Sequence, residues 1–293
     1  MLELLIIAIV PAVLLLWYMY KKDRYNPEPI HLVLVVFLLG ALVSIPASLI
    51  NEWSLEFFSF FDLITYSIVA PVVEESLKFS VVFFFVYPKS EFDKPMDGIL
   101  YAATAGLGFA MAENIGYVFD FGIATGFMRA FTAIPGHVIF SCIWGFALGI
   151  AKFRPESTRR GIIMGGLAGA MILHGFYNFI ADLEGIGTLL ILVAIIPIGW
   201  WITMRNISVA HADPASLLSA MKKFSPRGSG NFLGRKTKIV TDPNQPAPFP
   251  HLQGNHYGTV STDQGEEGMQ FCTQCGARFY NDSRFCDNCR KEL

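Results

Sequence analysis

Long apolar runs dominate the first two thirds of the chain. Each run is about 20 residues long, which is the length that an α-helix needs to cross the hydrocarbon core of a bilayer. The pattern predicts an all-α integral membrane helix bundle with about seven transmembrane helices. The predicted spans are residues 2–20, 31–50, 64–87, 98–119, 130–151, 161–181 and 186–204.

Composition agrees with this pattern. Of the 293 residues, 53% are hydrophobic and only 16% are charged, whereas a soluble protein carries about 25% charged residues. The distribution is uneven, because residues 205–293 are polar and rich in Pro, Gly, Asn and Gln. We therefore expect a transmembrane domain over residues 1–204 and an aqueous tail after it.

The loops between the predicted spans alternate in charge. Lys and Arg occur in the loops at 21–29, 88–95 and 152–160, and the intervening loops have none apart from Arg129. Basic loops tend to remain on the cytoplasmic side of a membrane. The alternation supports the count of seven spans, and it predicts an integral cell-membrane protein with its N-terminus outside and its C-terminus in the cytoplasm.

Four of the predicted spans carry polar residues at a similar depth. Counting inward from the outer end of each span places Glu74 about 15 Å deep, and Glu113, His137 and His174 about 9–10 Å deep. An ionisable group left unpaired at the centre of a span would cost roughly 2.5–3.5 kcal/mol. We therefore expect these side chains to face one interior site in the outer half of the membrane.

Helical spacing indicates which side chains converge there. Glu74 and Lys78 lie four residues apart on one helix face, as do His174 and Asn178. Glu75 is rotated about 100° from Glu74, so at most one of these two carboxylates should point directly at a common centre. Glu74, Glu75 and Glu113 carry three negative charges, and Lys78 carries one positive charge. The site therefore has an excess of two negative charges. A divalent metal would balance this excess, and so would protonation of two glutamates.

Glycines recur at every fourth position of the sixth span, at Gly161, Gly165 and Gly169. Small residues at this spacing allow the backbones of two membrane helices to approach closely. We expect this face of the span to pack tightly against a neighbouring helix.

The polar residue types suit hydrolysis. Peptide hydrolysis requires a water molecule, a base that activates it and stabilisation of the oxyanion. Two imidazoles and one carboxylate also form a common ligand set for a catalytic zinc ion, with the fourth position left for water. The chain has no HExxH motif and no evident Ser/His/Asp arrangement. A metal site would therefore have to be assembled from separate helices.

Five blocks of sequence carry a family resemblance. They are DRYNPEP at 23–29, EESLK at 74–78, DGILYAATAGLGFAMAENIGYV at 97–118, PGHVIFSCIWG at 135–145 and HGFYNF at 174–179. In this order and spacing, the chain resembles the PrsW family of intramembrane proteases, which is related to the CAAX prenyl endopeptidases. The resemblance extends over residues 1–204.

The resemblance implies an intramembrane endopeptidase, usually classed as a metalloprotease, that acts on membrane-anchored protein substrates. It also implies anti-sigma-factor cleavage at the outer face as one kind of role. Carried over to this chain, Glu74 or Glu75 would activate water, and Glu113 and His174 would be metal ligands or would stabilise the transition state. His137 would be a further ligand, and Asn178 would donate to the oxyanion.

This chain departs from the wider group at two motif positions. The prenyl endopeptidases have an arginine after the paired glutamates and a histidine at the end of the second motif, where this chain has Lys78 and Glu113. The ligand set therefore cannot be copied from them. Zinc or another divalent ion at His137, His174 and Glu113 remains the favoured expectation, and a metal-free mechanism driven by a glutamate is the alternative.

The tail ends in a cysteine motif. Residues 205–270 are rich in Pro and Gly and predict a flexible cytoplasmic linker. Residues 271–293 contain two CxxC pairs, a spacing typical of a structural zinc site in a small zinc ribbon. The four cysteines are Cys272, Cys275, Cys286 and Cys289. A pair of disulfides is the alternative, which the reducing cytoplasm disfavours. We expect a cytoplasmic protein partner for this module and do not expect nucleic acid.

Two other function classes fit parts of the pattern. Buried Glu, Lys and His residues also serve as proton relays in ion-coupled transporters, although no inverted repeat is evident between the two halves of the chain. A catalytically silent scaffold that binds single-span proteins and signals through the zinc ribbon is the other candidate.

Overall fold

Each predicted transmembrane span lies largely within helix in the computed structural model of the chain. The structure describes residues 2–24, 26–57, 63, 65–213, 269–271 and 278–280, in two units that divide between residues 230 and 231. The helices of the first unit are α1 (Leu2–Lys22), α2 (Ile30–Phe57), α3 (Ala70–Phe85), α4 (Pro95–Phe121), α5 (Ile123–Phe131), α6 (Ala133–Lys152), α7 (Glu156–Ala181), α8 (Glu184–Leu190) and α9 (Ile196–Ala212). Two π-helical turns, Thr65–Val69 and Ile191–Ile195, precede α3 and α9.

Length and apolarity identify five helical segments that could cross a membrane. They are Leu2–Lys22, Ile30–Phe57, Ile123–Lys152, Glu156–Ala181 and Gly185–Ala212. The predicted third and fourth spans also form helices, but they are not among these five. The third span is occupied partly by α3, which has only 16 residues. The outer loop predicted at 120–129 is largely helical, because α5 lies there.

Helix α4 lies at the centre of the first unit. It packs against α1, α2 and α6, and all of its residues from Pro95 to Ala110 are buried. Glycines make these crossings close. A Cβ on Gly98 would lie 2.2 Å from the Gly145 carbonyl oxygen of α6, and one on Gly40 of α2 would lie 2.3 Å from the Ala105 carbonyl oxygen. Substitution of either glycine would force the helices apart.

The glycines expected to pack closely on α7 do not do so among the described residues. A Cβ on Gly161 or Gly165 would meet no atom within 4 Å, and one on Gly169 would lie 3.7 Å from Ile143. The close approach occurs instead at Gly166, where a Cβ would lie 2.2 Å from the Ala147 side chain. The predicted face of α7 is therefore wrong. Glycine spacing alone does not show which side of a helix packs against a neighbour.

Prolines begin the helices that carry the polar residues. Pro71 is the second residue of α3, and Pro135 is the third residue of α6. The first N–H groups of a helix have no partner within that helix, so proline is tolerated there. Glu74 and His137 follow within about one turn, which places both side chains near the beginning of their helices.

A cluster of buried charges joins the loop after α1 to the beginning of α4. The Lys94 ammonium donates to Glu28 Oε1 at 2.6 Å and also to Asp97, and it lies 3.4 Å from Asp23 Oδ2. Tyr101 donates to the other oxygen of Glu28 at 2.8 Å. Burial would lower the pKa of the Lys94 amine, but the three carboxylates raise it by more. Asp23 and Glu28 are the two acidic residues of the DRYNPEP segment, one of the blocks that carry the family resemblance. Their contacts with Lys94 hold this segment against the beginning of α4.

The second unit contains a short hairpin among its described residues. Strand β1 (Met269–Phe271) pairs antiparallel with β2 (Arg278–Tyr280), and Gln270 lies opposite Phe279. The four tail cysteines and residues 214–268 of the predicted linker lie outside the described residues. Helix α9 continues to Ala212, eight residues beyond the predicted end of the transmembrane domain at residue 204.

Candidate functional site

Glu74, Glu75 and Lys78 lie in the first turns of α3 and are almost completely buried. The Lys78 ammonium donates to Glu75 Oε1 at 2.8 Å and lies 3.5 Å from Glu74 Oε2. Both carboxylates also lie near His174, at 3.0 Å for Glu75 and 3.8 Å for Glu74. Both carboxylates therefore reach the same lysine and histidine, although their positions on the helix are rotated by about 100°.

Glu75 has donors around both of its oxygens. Oε1 accepts from Lys78 and lies 3.0 Å from His174 Nδ1. Oε2 accepts from Trp144 Nε1 at 2.9 Å and lies 3.5 Å from the Ser141 hydroxyl. These contacts connect α3 with α6 and α7. A carboxylate satisfied in this way is held in one position, which suits an orienting role.

Glu74 is held more loosely than Glu75. Its Oε1 accepts from the Asn51 amide of α2 at 3.4 Å, and its Oε2 lies 3.5 Å from the Lys78 ammonium and 3.8 Å from His174 Nε2. All three distances exceed those of ordinary N–H···O hydrogen bonds. Glu74 therefore retains more capacity than Glu75 to bind a water proton or a cation.

The partners of the two histidines define which ring nitrogen carries the proton. His137 Nδ1 lies 2.8 Å from the Lys78 ammonium, which can only donate, so Nδ1 is the acceptor. Its Nε2 then donates to Glu113 Oε2 at 2.9 Å. His174 Nδ1 donates to Glu75 at 3.0 Å, and in the neutral form of this ring Nε2 has the lone pair. Each histidine is thus oriented by a carboxylate, as in many metal and hydrolytic sites.

Arg129 is a member of this network that the sequence analysis missed. From α5, its guanidinium donates to Glu113 Oε2 at 2.7 Å and to Asn114 Oδ1 at 3.1 Å. It also lies over the Tyr117 ring, 3.7 Å from the centroid. The sequence signal was present, since Arg129 is the one cation in an otherwise uncharged outer loop, near a site with excess carboxylates.

The presence of Arg129 changes the charge balance. Three carboxylates, Glu74, Glu75 and Glu113, now face two cations, Lys78 and Arg129. With neutral imidazoles, the formal excess falls from two negative charges to one. The charge balance therefore gives less support to a divalent ion than the sequence indicated, and the argument for a metal rests on the donor atoms alone.

The donor atoms of one group fit a metal ion. Glu74, His137 and His174 each offer a ligand atom, and these atoms lie within 4.8 Å of one another. One carboxylate and two imidazoles match the ligand types of catalytic zinc sites. The structure groups Glu74 with the histidines, whereas the sequence analysis named Glu113. Glu113 lies behind His137, between its ring and Arg129.

Asn178 lies one helical turn after His174 but makes a different contact. Its amide donates to the Tyr66 carbonyl oxygen at 2.9 Å, within the π-helical turn Thr65–Val69 that leads into α3. A π-helical turn departs from the α-helical hydrogen-bond pattern. Asn178 therefore holds the segment that precedes Glu74.

The comparisons with known proteins show the family of the chain. A family profile described as PrsW family intramembrane metalloprotease matches residues 28–202. The chain belongs to the PrsW family. Its matched region includes every residue of the membrane site described above, and the family supports a protease that is an integral multi-pass membrane protein.

Several curated PrsW relatives cover most of the chain. Protease PrsW of Geobacillus kaustophilus is 36% identical over 223 residues, which are 74% of this chain and 97% of that protein. Protease PrsW of Oceanobacillus iheyensis is 35% identical over 73% of this chain and 98% of its own length. Protease PrsW of Bacillus subtilis is 33% identical, with coverages of 70% and 94%. No solved structure shows significant similarity.

Proposed function

We propose that the protein is an intramembrane endopeptidase that hydrolyses membrane-anchored protein substrates near the outer face of the bilayer. The observation that carries this proposal is the shared contact network of Glu74, Glu75, His137 and His174, which come from α3, α6 and α7. Membership of the PrsW family supports the same conclusion. The depth counted from the predicted spans supports a site in the outer half of the membrane.

Glu74 is the proposed base. A general base needs a free oxygen within hydrogen-bond reach of the attacking water. Glu74 has only long contacts, to Asn51, Lys78 and His174, whereas Glu75 is surrounded by donors at shorter distances. In this account Glu74 takes the proton of the water, and Glu75 keeps the His174 ring in its orientation.

The same residues would hold a divalent ion. Glu74, His137 and His174 are the proposed ligands. To bind through His137 Nδ1, the ion would displace the Lys78 ammonium, which donates to this atom in the structure. Glu74 would bind the ion through one oxygen and the water through the other, while Glu75 and Glu113 accept hydrogen bonds from the opposite ring nitrogens. A zinc ion bound there would lower the pKa of a water molecule and polarise the carbonyl of the scissile peptide. Arg129 would stabilise the Glu113 carboxylate and, through it, the His137 ring.

The proposal also includes the orientation of the chain in the membrane, the role of the tail and the class of substrate. The N-terminus lies outside and the tail lies in the cytoplasm, where Cys272, Cys275, Cys286 and Cys289 bind a structural zinc ion and present a surface for a protein partner. The first cysteine pair is in the segment between the two described strands, an arrangement that suits a ribbon. Single-span proteins, anti-sigma factors among them, are the proposed substrates.

Purified full-length protein in liposomes with a single-span reporter tests this proposal. His174→Ala should reduce cleavage at least about 100-fold, because it removes the imidazole between Glu74 and Glu75. His31→Ala, which removes an exposed histidine at the beginning of α2, should cleave like the wild type. Wild-type cleavage rates for His174→Ala would overturn the proposal. Ion flux across the liposomes without any cleavage would also overturn it and would favour a transporter.

A further inference from the structure

Two asparagines beside the site each leave one buried polar atom without a partner among the described residues. Asn51 of α2 donates its amide to Glu74, and its Oδ1 is buried and unpaired. Asn114 of α4, which is fully buried, accepts from Arg129 on Oδ1, and its Nδ2 is unpaired.

The identity of each free atom follows from its neighbour. A carboxylate can only accept, so the Asn51 atom that faces Glu74 is the NH₂ group and the free atom is an oxygen. A guanidinium can only donate, so the Asn114 atom that faces Arg129 is the oxygen and the free atom is the NH₂ group. The site therefore has one buried free acceptor on the residue beside Glu74 and one buried free donor on the residue beside Arg129, among the described residues.

Leaving such atoms unpaired is costly. A buried amide group without a hydrogen bond costs about 1–3 kcal/mol, and most such groups in folded proteins have a partner. Two hydroxyl oxygens in the π-helical turn before α3, on Thr65 and Ser67, are also buried and unpaired among the described residues. Asn51, Thr65 and Ser67 thus place three such atoms on α2 and on the turn that leads into α3, the elements next to Glu74.

The chemistry of the pair matches a peptide main chain, which offers one N–H donor and one C=O acceptor per residue. We propose that Asn51 and Asn114 bind the main chain of the substrate beside the scissile bond, with Asn51 Oδ1 accepting an N–H and Asn114 Nδ2 donating to a C=O. This inference rests on the proposed function, because it gives the endopeptidase its substrate-binding contacts.

The proposal also specifies the state of the substrate. The N–H and C=O groups of an intact transmembrane helix are already paired within the helix. Only an extended or unwound segment can offer them to the two asparagines. The substrate class is therefore a single-span protein whose helix ends or is broken near the cleavage site. Recognition through the main chain places little demand on the side chains there.

An ester scan of the reporter tests the proposal. Each amide that flanks the cleavage site is replaced in turn by an ester, which removes one N–H while keeping the side chains. For the wild type, one ester position should reduce kcat/KM about tenfold, the effect of losing roughly 1.4 kcal/mol. For Asn51→Leu, kcat/KM with the all-amide reporter should already be about tenfold lower, and the same ester should reduce it by less than about twofold.

Asn114→Asp tests the donor separately. The aspartate still accepts from Arg129, but it replaces the NH₂ group with an oxygen, so kcat/KM should fall about tenfold or more. Asn206→Leu, which removes an asparagine from α9, should retain wild-type values for every reporter.

The outcomes separate this inference from the proposed function. If the wild type cleaves no reporter, the proposed function fails and the inference fails with it. If the wild type cleaves the amide and all ester reporters at equal rates, the protease stands and the main-chain contact from Asn51 is refuted. The contact would also be refuted if each ester lowered kcat/KM by the same factor in Asn51→Leu as in the wild type. Asn51 would then act only through Glu74.

Discussion

Oε1 of Glu75 lies 3.0 Å from Nδ1 of His174, although 99 positions separate these residues in the chain. The same carboxylate accepts from the Trp144 indole and the Lys78 ammonium. One glutamate thereby connects three helices through charge-assisted hydrogen bonds, which are roughly twice as strong as neutral ones. Its adjacent residue, Glu74, makes only longer contacts. The two neighbouring glutamates should therefore respond differently to the same substitution.

Glu75→Gln should mainly reduce stability. It removes a buried charge and leaves the Lys78 ammonium without its shortest ion pair, which costs on the order of 3 kcal/mol. The free energy of unfolding in mixed micelles measures this effect. Glu74→Gln is the matched control and should change the free energy by less than about 1 kcal/mol, since its contacts are long. Equal destabilisation by both substitutions would contradict the distinct roles of the two glutamates.

Arg129→Lys should lower activity while the fold persists. Lysine keeps the positive charge but cannot bridge Glu113 and Asn114 with the fork of a guanidinium. We expect kcat/KM for a single-span reporter to fall roughly tenfold, the effect of about 1.4 kcal/mol. Arg205→Lys on the exposed face of α9 should have no effect. If Arg129 acts through Glu113, the losses from Arg129→Lys and Glu113→Gln should not add in the double variant. Additive losses would show that the two residues act independently.

Metal analysis of the full-length protein distinguishes the two proposed ions. The wild type should contain about two zinc ions per chain, one in the tail and one in the membrane site. The Cys272→Ser/Cys275→Ser variant should lose only the zinc ion of the tail. His174→Ala should lose only the zinc ion of the membrane site. A zinc content that is the same in His174→Ala and the wild type would refute an ion at Glu74, His137 and His174. In an active protein, that result would favour the metal-free glutamate mechanism.

Asp23→Asn should change how stability depends on pH. Burial raises the pKa of Asp23 to about 6 despite the nearby Lys94. The folded state therefore binds a proton more tightly than the unfolded state, so stability should increase as the pH falls from about 6 toward 4. The asparagine keeps an acceptor for the Glu28 N–H and removes this titration. The difference in melting temperature between variant and wild type should thus vary over this interval. A constant difference would show that Asp23 does not titrate there.

The helices of the first unit and the presence of an interior polar site could be predicted from the sequence. Apolar runs of membrane length define the helices, and an ionisable residue in such a run is costly enough to indicate an interior site. The number of transmembrane spans was harder to predict from the sequence. The helices α3 and α4, which carry the three glutamates and Lys78, are not among the five segments identified by length and apolarity. The helices α6 and α7, which carry His137 and His174, do lie within them.

The contacts within the site depend on tertiary packing and could not be predicted. Arg129 lies in what the hydrophobic pattern indicates as an outer loop, yet α5 brings it to Glu113. Asn178 has the right spacing to act beside His174, but its amide is used by the Tyr66 carbonyl. Helical spacing also could not separate Glu74 from Glu75, since their roles differ only in the donors that α6 and α7 supply.

The most direct test of the account is the cleavage rate of Glu74→Gln. The measurement is kcat for a single-span reporter, with the full-length protein in liposomes and its folding checked by the same unfolding assay. The account predicts a loss of about 100-fold or more, because glutamine cannot accept the proton of the attacking water. Cleavage by Glu74→Gln within about twofold of the wild-type rate would contradict the assignment of Glu74 as the base and, with it, the proposed mechanism.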